Sequence, residues 1–571
     1  MFRLYFSLTL QDASFIILTM FVRTVRPRHT KNISVQIVRS YRNSEGKPRQ
    51  KIIRHMGSAP PGEALDALLR VAEVEKNRLK ESFQPSLFPA EDKAQEIVEL
   101  RKSARHDKPL PIADARLLEE EKRLKLGYHE VFGELYRQLG FERVWGVRNR
   151  MAGRLFRQAV LMRLAAPGGS KSSHARLSLD HGVEVAVEKF YRMMDKIDAK
   201  RIRRLQSIVC EEVEGLLGGE VEVVFFDVTT LYFASDTEDD LRKKGWSKDG
   251  KPRRVQVVLG LFQSMEGLAL GYEVFPGNTA DVSALEPSIE GLRKRMKLGR
   301  VVFVGDAGML SKKNLEVLER RGYDWVVGAR LRSLSEEIQD MLFEHEDWKE
   351  VGDGKRLADI EVNGGRLVLR RCGKRARKDA RDREEALEKL HKRIEGGIKG
   401  NGRRGRYLKI ESGAVSIDEE AVERDEKFDG LHGVWTSLGE GHSAEDVYRH
   451  YGELWRIEEG FRVMKHTMAV RPVFHWTQRR VEAHIAICFA AFSMLRILRF
   501  KHNCFHGGKE PMSEGEILSE LNRVEASLVY DRGNGKRYLI PSSSSSKQRS
   551  LYAAMGLTLR RQTLLVDSEV S

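Results

Sequence analysis

Apolar runs separated by polar breaks between residues 220 and 330 predict one domain of mixed α and β structure. Residues 221–226 form a nearly continuous apolar run, which is typical of a strand buried on both faces. Downstream runs with strand or helix periodicity follow at short intervals. In chain order the predicted elements are strand 221–226, hairpin strands 255–262 and 268–275, helix 284–296, strand 301–304, helix 314–320 and strand 325–329. The fold class is therefore α/β with a mixed sheet.

The flanking sequence predicts further regions with different patterns. Two short strands around a turn are expected in residues 32–57, and charged, mostly helical sequence in 60–130. Residues 333–435 mix strand-like pieces with a charged helix at 377–398, and we interpret them as a largely β insertion. An amphipathic helix begins after Ser443, which can cap it, and is expected to run to about residue 468. A mostly buried helix at 481–500 and a flexible tail from about residue 540 complete the chain.

These patterns divide the chain into seven expected regions. They are a disordered or mis-started N-terminus (1–30, with Met20 as the expected true start), a basic N-terminal DNA-binding region (31–130), a helical linker (131–218), the first part of the core (219–332), the insertion (333–440), the catalytic helix and second part of the core (441–505), and a C-terminal region (506–571).

The composition says more about the possible binding partners of the protein than about its fold. The 571 residues carry 99 Lys and Arg against 83 Asp and Glu, a net charge of +16. Such a balance favours polyanions, nucleic acid above all, although a merely basic enzyme would show the same charge. The four cysteines form no CxxC pair, which excludes a zinc ribbon and fits a reducing compartment.

Two other classes of protein are not expected. The apolar run at 486–495 is too short to span a bilayer, which needs about 20 residues, so no membrane partner is expected. The segment GGSKSS at 168–173 lacks the upstream glycine of a phosphate-binding P-loop, so no nucleotide cofactor is expected either.

Two aspartates follow apolar strands. Asp227 comes directly after run 221–226, and Asp306 ends the sequence VVFVGD. A carboxylate at the end of a buried strand is costly unless it is compensated, and a divalent metal ion is the usual compensation. Each aspartate could instead cap a helix or a turn, and Asp306, which precedes Gly308, fits a turn well.

The amphipathic helix supplies a third carboxylate. Tyr451, Glu458 and Lys465 are spaced by seven residues, so on a continuous α-helix they share one face. An adjoining apolar stripe, made by Leu454, Ile457, Phe461 and Met464, would hold that face at the edge of a cleft. Glu459 would lie about 100° further round, which makes Glu458 the better catalytic candidate. A plain ion pair between Glu458 and Arg462 is the alternative.

Three such carboxylates suit one type of chemistry. They can hold two Mg²⁺ ions about 3.5–4 Å apart, one activating a nucleophile and the other stabilising the leaving oxygen of a phosphodiester. Oxygen ligands suit Mg²⁺, with Mn²⁺ able to substitute, whereas zinc would need histidines or cysteines. Lys465 and Tyr451 could then position the flanking phosphates.

With these residues, the chain resembles the DDE transposases of bacterial insertion sequences. The glutamate helix reads YGELWRIEEGFRVMK (451–465) and resembles the branch with a Tyr-x2-Arg-x3-Glu-x6-Lys signature. FFDVTTLYF (225–233) resembles the first-Asp segment, and PGNTADVSAL (276–285) with VVFVGDAGMLS (301–311) resembles the second. The resemblance covers about residues 30–500.

The resemblance implies a ribonuclease H-like core and a metal-binding catalytic triad of Asp227, Asp306 and Glu458. It also implies that Tyr451 and Lys465 contact DNA phosphates. One residue departs from the signature: its Arg position is Leu454, for which Arg462, one turn after Glu458, could substitute. Trp435 could stack on a displaced base, although a core position fits its sequence context better.

The implied function is metal-dependent cleavage at the ends of an insertion sequence and transfer of the freed 3′-hydroxyls into target DNA. The expected partners are double-stranded DNA (terminal inverted repeats and target) and a second copy of the chain in a synaptic homodimer. The expected location is the bacterial cytoplasm, associated with the nucleoid. Two alternatives remain: a nuclease of the same fold without strand transfer, and a non-catalytic DNA-binding protein derived from a transposase.

Overall fold

The computed structural model describes most of the chain between residues 20 and 566. The described residues are 20–25, 32–42, 48–62, 64–65, 67–69, 71–72, 114–168, 180, 185–219, 221–234, 236–245, 254–293, 295, 301–306, 311–362, 365–396, 406–411, 414–439 and 441–566. The expectations for residues 1–19 and for all but the first residue of GGSKSS lie outside them, as does most of the charged helical sequence expected before residue 114.

The elements are numbered along the chain. The strands are β1 (Met20–Val25), β2 (Ile33–Arg42), β3 (Pro48–Ala59), β4 (Leu118–Lys125), β5 (Val223–Tyr232), β6 (Lys243–Lys244), β7 (Val255–Ser264), β8 (Ala269–Pro276), β9 (Val302–Gly305), β10 (Asp324–Ala329), β11 (Lys349–Glu350), β12 (Lys355–Val362), β13 (Gly365–Cys372), β14 (Leu408–Glu411), β15 (Ala414–Ile417), β16 (Leu431–Thr436), β17 (Glu525–Asp531), β18 (Lys536–Pro541) and β19 (Leu564–Val566). The α-helices are α1 (Gly133–Leu139), α2 (Arg150–Ala165), α3 (Val187–Met194), α4 (Ala199–Leu217), α5 (Asp281–Arg293), α6 (Lys312–Arg320), α7 (Glu336–Glu344), α8 (Gly373–Glu395), α9 (Glu419–Glu426), α10 (Ala444–Gly452), α11 (Trp455–Arg462), α12 (Gln478–Phe505), α13 (Glu514–Asn522) and α14 (Ser546–Ala554).

The central sheet has the mixed arrangement that the sequence predicts. Its core runs in the order β8-β7-β5-β9-β10, with β5 antiparallel to β7 and parallel to β9, and β9 parallel to β10. Every residue of β7 and most residues of β5 are buried, because both faces of the sheet are covered. This strand order with helices on both faces is the ribonuclease H-like fold.

Helix α12 is the main apolar support of that core. It packs against α2, α3, α4 and β8. It is long and apolar enough to cross a membrane, but 94% of its most apolar window is buried inside the protein. The amphipathic pattern is absent because neighbouring elements surround the helix on all sides, which makes it a core helix.

The predicted insertion continues the central sheet. Strand β16 pairs antiparallel with β10 on one side and with β13 on the other, and β12 and β11 follow, so that one sheet has ten strands. A second apolar cluster, which includes Leu342, Leu367 and Leu369, lies under these strands. Helix α8 and the hairpin β14–β15 complete the region. The insertion thereby brings β13 and β16 next to the core strands.

Three expectations outside the core need correction. Residues 20–25 were expected to lie in a disordered or mis-started N-terminus; they form β1, which pairs with β2 in a three-stranded sheet with β3, so disorder is wrong for them. Residues 118–125, expected to be helical, form β4, which pairs with β17 near the other end of the chain. The serine-rich sequence after residue 540 is not a flexible linker, because the side chain of Ser545 caps α14.

Replacing Phe489 by alanine tests the role of α12. The ring is fully buried and lies 4.8 Å from the ring of Tyr272 on β8, measured between centroids. We expect Phe489→Ala to destabilise the core by about 3–5 kcal/mol, because the cavity cannot be filled without moving either element. Thermal unfolding measures the effect. Met341→Ala on α7, where the side chain is exposed, is the control, and an equal loss in both variants would contradict the assignment of α12 as a core helix.

Candidate active site

Asp227 and Asp306 lie at the same level of two neighbouring parallel strands. The register pairs Phe225 of β5 with Val304 of β9, and two residues further along each chain come Asp227 and Asp306. Adjacent strands are about 4.8 Å apart. The parallel pairing therefore brings together two carboxylates that are 79 residues apart in the sequence.

The two aspartates differ in their surroundings. The sequence predicted that Asp227 follows the end of its strand. This is wrong, because β5 continues to Tyr232 and pairs there with β7. Its side chain is half-buried, and its Oδ1 atom accepts a hydrogen bond of 2.7 Å from the backbone N–H of Val228. Asp306 is the first residue after β9 and is exposed.

The predicted helix 443–468 is three shorter pieces. It begins as predicted, with the side chain of Ser443 capping α10 in a reciprocal pair with Asp446. A turn at residues 453–454 separates α10 from α11, and the last part, Val463–Thr467, is a π-helical turn. The expectation of one continuous α-helix is wrong. Spacing by seven residues therefore does not by itself place Tyr451, Glu458 and Lys465 on one face.

Tyr451 nevertheless links the central sheet to the helical segment that carries Glu458. Its hydroxyl lies over Gly328 of β10, where an added Cβ atom would be only 2.4 Å from the hydroxyl oxygen. Burial raises the pKa of Tyr451, and the negative charges of Asp306 and Glu458 also raise it, whereas Arg370 lowers it. Both carboxylates are therefore close enough to Tyr451 for their charge to act on it.

Helix α11 is anchored by its apolar side. Ile457 and Phe461 are buried, as is Met464 in the following turn, which confirms the predicted stripe. Gly460 faces the buried side chain of Gln263 on β7 so closely that an added Cβ atom would be 2.0 Å from its Nε2 atom. The missing side chain thus lets α11 lie against β5 and β7.

The neighbouring glutamates have different environments. Glu458 is exposed. Glu459 is only 12% exposed and forms ion pairs with Arg496 at 2.9 Å and with Arg499 at 3.5 Å. The prediction that Glu459 lies further round the helix than Glu458 is consistent with these different environments. Arg462 lies 3.7 Å from Glu459, not beside Glu458, so the alternative ion pair between Glu458 and Arg462 is wrong.

The other residues singled out in the sequence occupy varied positions. Leu454 packs against the main apolar cluster, as predicted. Arg462 is 71% exposed, and Lys465 is half-buried in the π-helical turn. Trp435 packs against both the main cluster and the cluster of the insertion, which supports the core interpretation over base stacking.

Two residues of the insertion border the site although nothing in the sequence pointed to them. His432 of β16 has its ring 5.3 Å from the ring of Tyr451. Arg370 of β13 lies opposite His432 in the strand pairing. Burial lowers the pKa of His432 to about 4, helped by the charges of Arg370 and Arg375. His432 is therefore neutral at pH 7 and lies in a positive field.

The chemistry of the carboxylates, more than their present spacing, suits a metal ion. Within the residues that the structure describes, no three His, Cys, Asp or Glu side chains are close enough together to hold one. The donors at the site, from Asp227, Asp306 and Glu458, are all carboxylate oxygens, which Mg²⁺ and Mn²⁺ prefer. The chemistry of the donor set therefore fits such an ion.

Comparison with known families gives two matches. The family model described as a transposase DDE domain matches residues 219–494, which include all three carboxylates. The model described as the N-terminal domain of the IS1634 family of transposases matches residues 22–86. No curated protein matches the chain.

Two solved structures are similar to the chain at low sequence identity. One is a piggyBac transposase synaptic complex with hairpin DNA, at 13% identity over 76% of each chain and a TM-score of 0.34. The other is a Mos1 transposase paired-end complex with the left transposon end, at 15% identity over 47% of this chain and 77% of that one, with a TM-score of 0.13.

The different environments of the two glutamates predict different effects on stability. Replacing Glu459 by glutamine leaves Arg496, which is only 4% exposed, with one carboxylate fewer. We expect a loss of about 1–3 kcal/mol, the usual cost of an unsatisfied buried group. Glu458→Gln is the matched control on the same helix and should unfold like the wild type. Thermal unfolding of both variants checks this, and a larger loss in Glu458→Gln would contradict it.

The same ion pairs predict how the difference depends on pH. Burial raises the pKa of Glu459, but its ion pairs outweigh that effect and the pKa is lowered overall. A lowered folded-state pKa stabilises the fold above the unfolded value, about 4.3 for glutamate, and the contribution disappears as the pH falls through the folded pKa. The advantage of wild type over Glu459→Gln should therefore shrink below about pH 4, as measured by urea unfolding at several pH values.

Proposed function

The chain belongs to the DDE transposases of insertion sequences, and we propose that it cleaves DNA at the ends of its element and joins the freed 3′-hydroxyls to target DNA. The single observation that carries this proposal is the register of β5 and β9. It puts Asp227 level with Asp306, while Tyr451 lies within electrostatic reach of both Asp306 and Glu458. A scissile phosphate could approach all three carboxylates from the exposed side of Asp306.

Transposase DDE domains generally use divalent metal ions. We propose that Asp227, Asp306 and Glu458 hold two Mg²⁺ ions, with Mn²⁺ able to substitute. When bound, the ions would activate the attacking water or hydroxyl and stabilise the leaving oxygen. Asp227, fixed by its hydrogen bond to Val228, would be the rigid ligand, and Glu458 on its short helix would be the adjustable one.

The cationic and phenolic groups would position the DNA. Tyr451 keeps its proton because its pKa is raised, so its hydroxyl can donate a hydrogen bond to a phosphate oxygen. Lys465 and Arg462 lie on the two sides of the boundary between α11 and the π-helical turn and would neutralise flanking phosphates. Phosphate contacts of this kind fix the register of the DNA and carry no sequence information. We propose that the chain belongs to the Tyr/Arg/Glu/Lys branch, because segment 451–465 resembles the signature of that branch.

Recognition of the element ends would fall to the N-terminal region. The three-stranded sheet β1–β3 lies within the matched IS1634-family domain, and its sequence is basic. We propose that it binds the terminal inverted repeats, that two copies of the chain join two ends in a synaptic complex, and that the protein acts in the bacterial cytoplasm at the nucleoid. The net charge of +16 supports a polyanionic partner.

Cleavage and strand transfer on a duplex that carries the element's terminal repeat test the proposal. In Mg²⁺, wild type should nick the end and join it to a target duplex. Glu458→Gln, Asp227→Asn and Asp306→Asn should each lower both rates by more than about 100-fold, the scale for removing a group that stabilises transition-state charge. DNA binding, measured by fluorescence anisotropy, should persist in all three variants.

The control is Glu459→Gln on the same helix, which should retain activity at a temperature where it is folded. Nicking by wild type without joining would support a nuclease of this fold. Binding without cleavage, in Mn²⁺ as well as Mg²⁺, would support a non-catalytic DNA-binding protein. Full activity in Glu458→Gln would contradict the triad.

A further inference from the structure

The structure contains a cation beside the active site that is not part of the predicted signature. We infer that Arg370 of β13 binds a backbone phosphate of the element end next to Tyr451. The inference rests on the proposed function, since it names a DNA contact of the same site. Leu454 occupies the Arg position of the signature and packs against the apolar core. Arg370 would supply the phosphate contact that Leu454 cannot make.

The position of Arg370 follows from the strand pairing. Arg370 lies opposite His432 of β16, so the two side chains are on the same face of the sheet. The ring of His432 lies 5.3 Å from the ring of Tyr451 and 6.0 Å from that of Tyr448. The charge of Arg370 lowers the pKa of Tyr451, whereas those of Asp306 and Glu458 raise it. The strand pairing and the ring contact thus place Arg370 on the face of the sheet that carries His432, the neighbour of Tyr451.

The side chain of Arg370 is held in place. Its guanidinium carbon lies 5.0 Å from the centre of the Tyr448 ring, and the hydroxyl of Tyr448 donates a hydrogen bond of 2.6 Å to the backbone oxygen of His432. An arginine that stacks on a fixed aromatic ring loses less freedom on binding a ligand than a free one. The planar donors of Arg370 are thus fixed before any ligand arrives.

Arg370 also lacks the partners that other arginines of this chain have. Its Nε atom is buried and has no hydrogen-bond acceptor among the described residues. No carboxylate within the described ranges forms an ion pair with it, in contrast to Arg366, which pairs with Asp359 on the neighbouring strand. A partly buried guanidinium group without an anion is unfavourable in the isolated chain. A phosphate, which arginine can bind through two parallel hydrogen bonds, would supply an anion to this guanidinium group.

The surroundings favour a nucleic-acid phosphate over a small anion. Helix α8 begins just after β13, and its first half presents five exposed cations: Lys374, Arg375, Arg377, Lys378 and Arg381. Within the part of the chain that the structure describes, Arg375 is the one member of this set that forms an ion pair, with Asp379 at 3.2 Å. A row of cations that leads from Arg370 along one helix matches a chain of phosphates.

Binding of the terminal-repeat duplex by full-length protein tests this contact. Arg370→Gln should weaken binding and lower the slope of log affinity against log salt by about 1, the value for one lost phosphate contact. The matched control is Arg371→Gln, because adjacent strand residues point to opposite faces and the Arg371 guanidinium lies over Trp348, 5.0 Å from its centre. That variant should keep the wild-type slope.

Neutral phosphates locate the contact. Single phosphates next to the cleavage site can be replaced by neutral methylphosphonates. At one position this replacement should weaken binding by the wild type, whereas the affinity of Arg370→Gln should not fall further there. Arg370→Lys should keep the salt slope but bind more weakly than wild type, because lysine cannot make the paired hydrogen bonds. If Arg370→Gln does not fold, the affinity of Arg370→Lys still tests the contact.

The results separate the two proposals. Equal affinity and equal salt slope in wild type and Arg370→Gln, or equal methylphosphonate effects in both at every position, would overturn the assignment of Arg370, even if wild type cleaves DNA. Failure of wild type to cleave, with the expected binding defects of Arg370→Gln, would overturn the proposed activity and leave the phosphate site supported.

Discussion

The parallel pairing of β5 with β9 is the constraint on which the candidate site depends. It fixes Asp227 and Asp306 at one level of the sheet, and a shift of either strand by one residue would turn one carboxylate to the opposite face. The pairing is held by burial on both sides, with most of β5 and all four residues of β9 inside the core. Burial of these apolar strands thereby offsets the unfavourable free energy of placing two carboxylates next to each other.

The remaining parts of the site are attached to this pair by close contacts. Gly328 lets Tyr451 lie on β10, and Gly460 lets α11 approach Gln263 of β7. The second carboxylate of the helix, Glu459, faces the other way and joins Arg496 and Glu514 in a buried network of ion pairs. One helix thus supplies a structural glutamate to the core and an exposed one to the site. Adjacent residues on a helix, about 100° apart, make this division possible.

Local patterns in the sequence predicted what depends on local structure. The order of elements from β5 to β10, the cap at Ser443 and the different orientations of Glu458 and Glu459 all follow from periodicity and short-range hydrogen bonds. The turn at residues 453–454 was not predicted, because the apolar stripe continues through it. The pairing of β16 with β10 and of β4 with β17 joins distant segments, which no local pattern reveals. Arg370 was missed for the same reason, since it reaches Tyr451 through strands of the insertion.

We propose above all that Asp227, Asp306 and Glu458 form one metal site when DNA is bound. The most direct measurement is anomalous X-ray scattering from crystals of the full chain with its terminal-repeat duplex grown in Mn²⁺. We expect manganese peaks between the carboxylates of Asp227 and Asp306, with Glu458 as a further ligand and the ion pair of Glu459 with Arg496 unchanged. Manganese bound without Asp227 and Asp306, or with Glu459 as the third ligand, would contradict it.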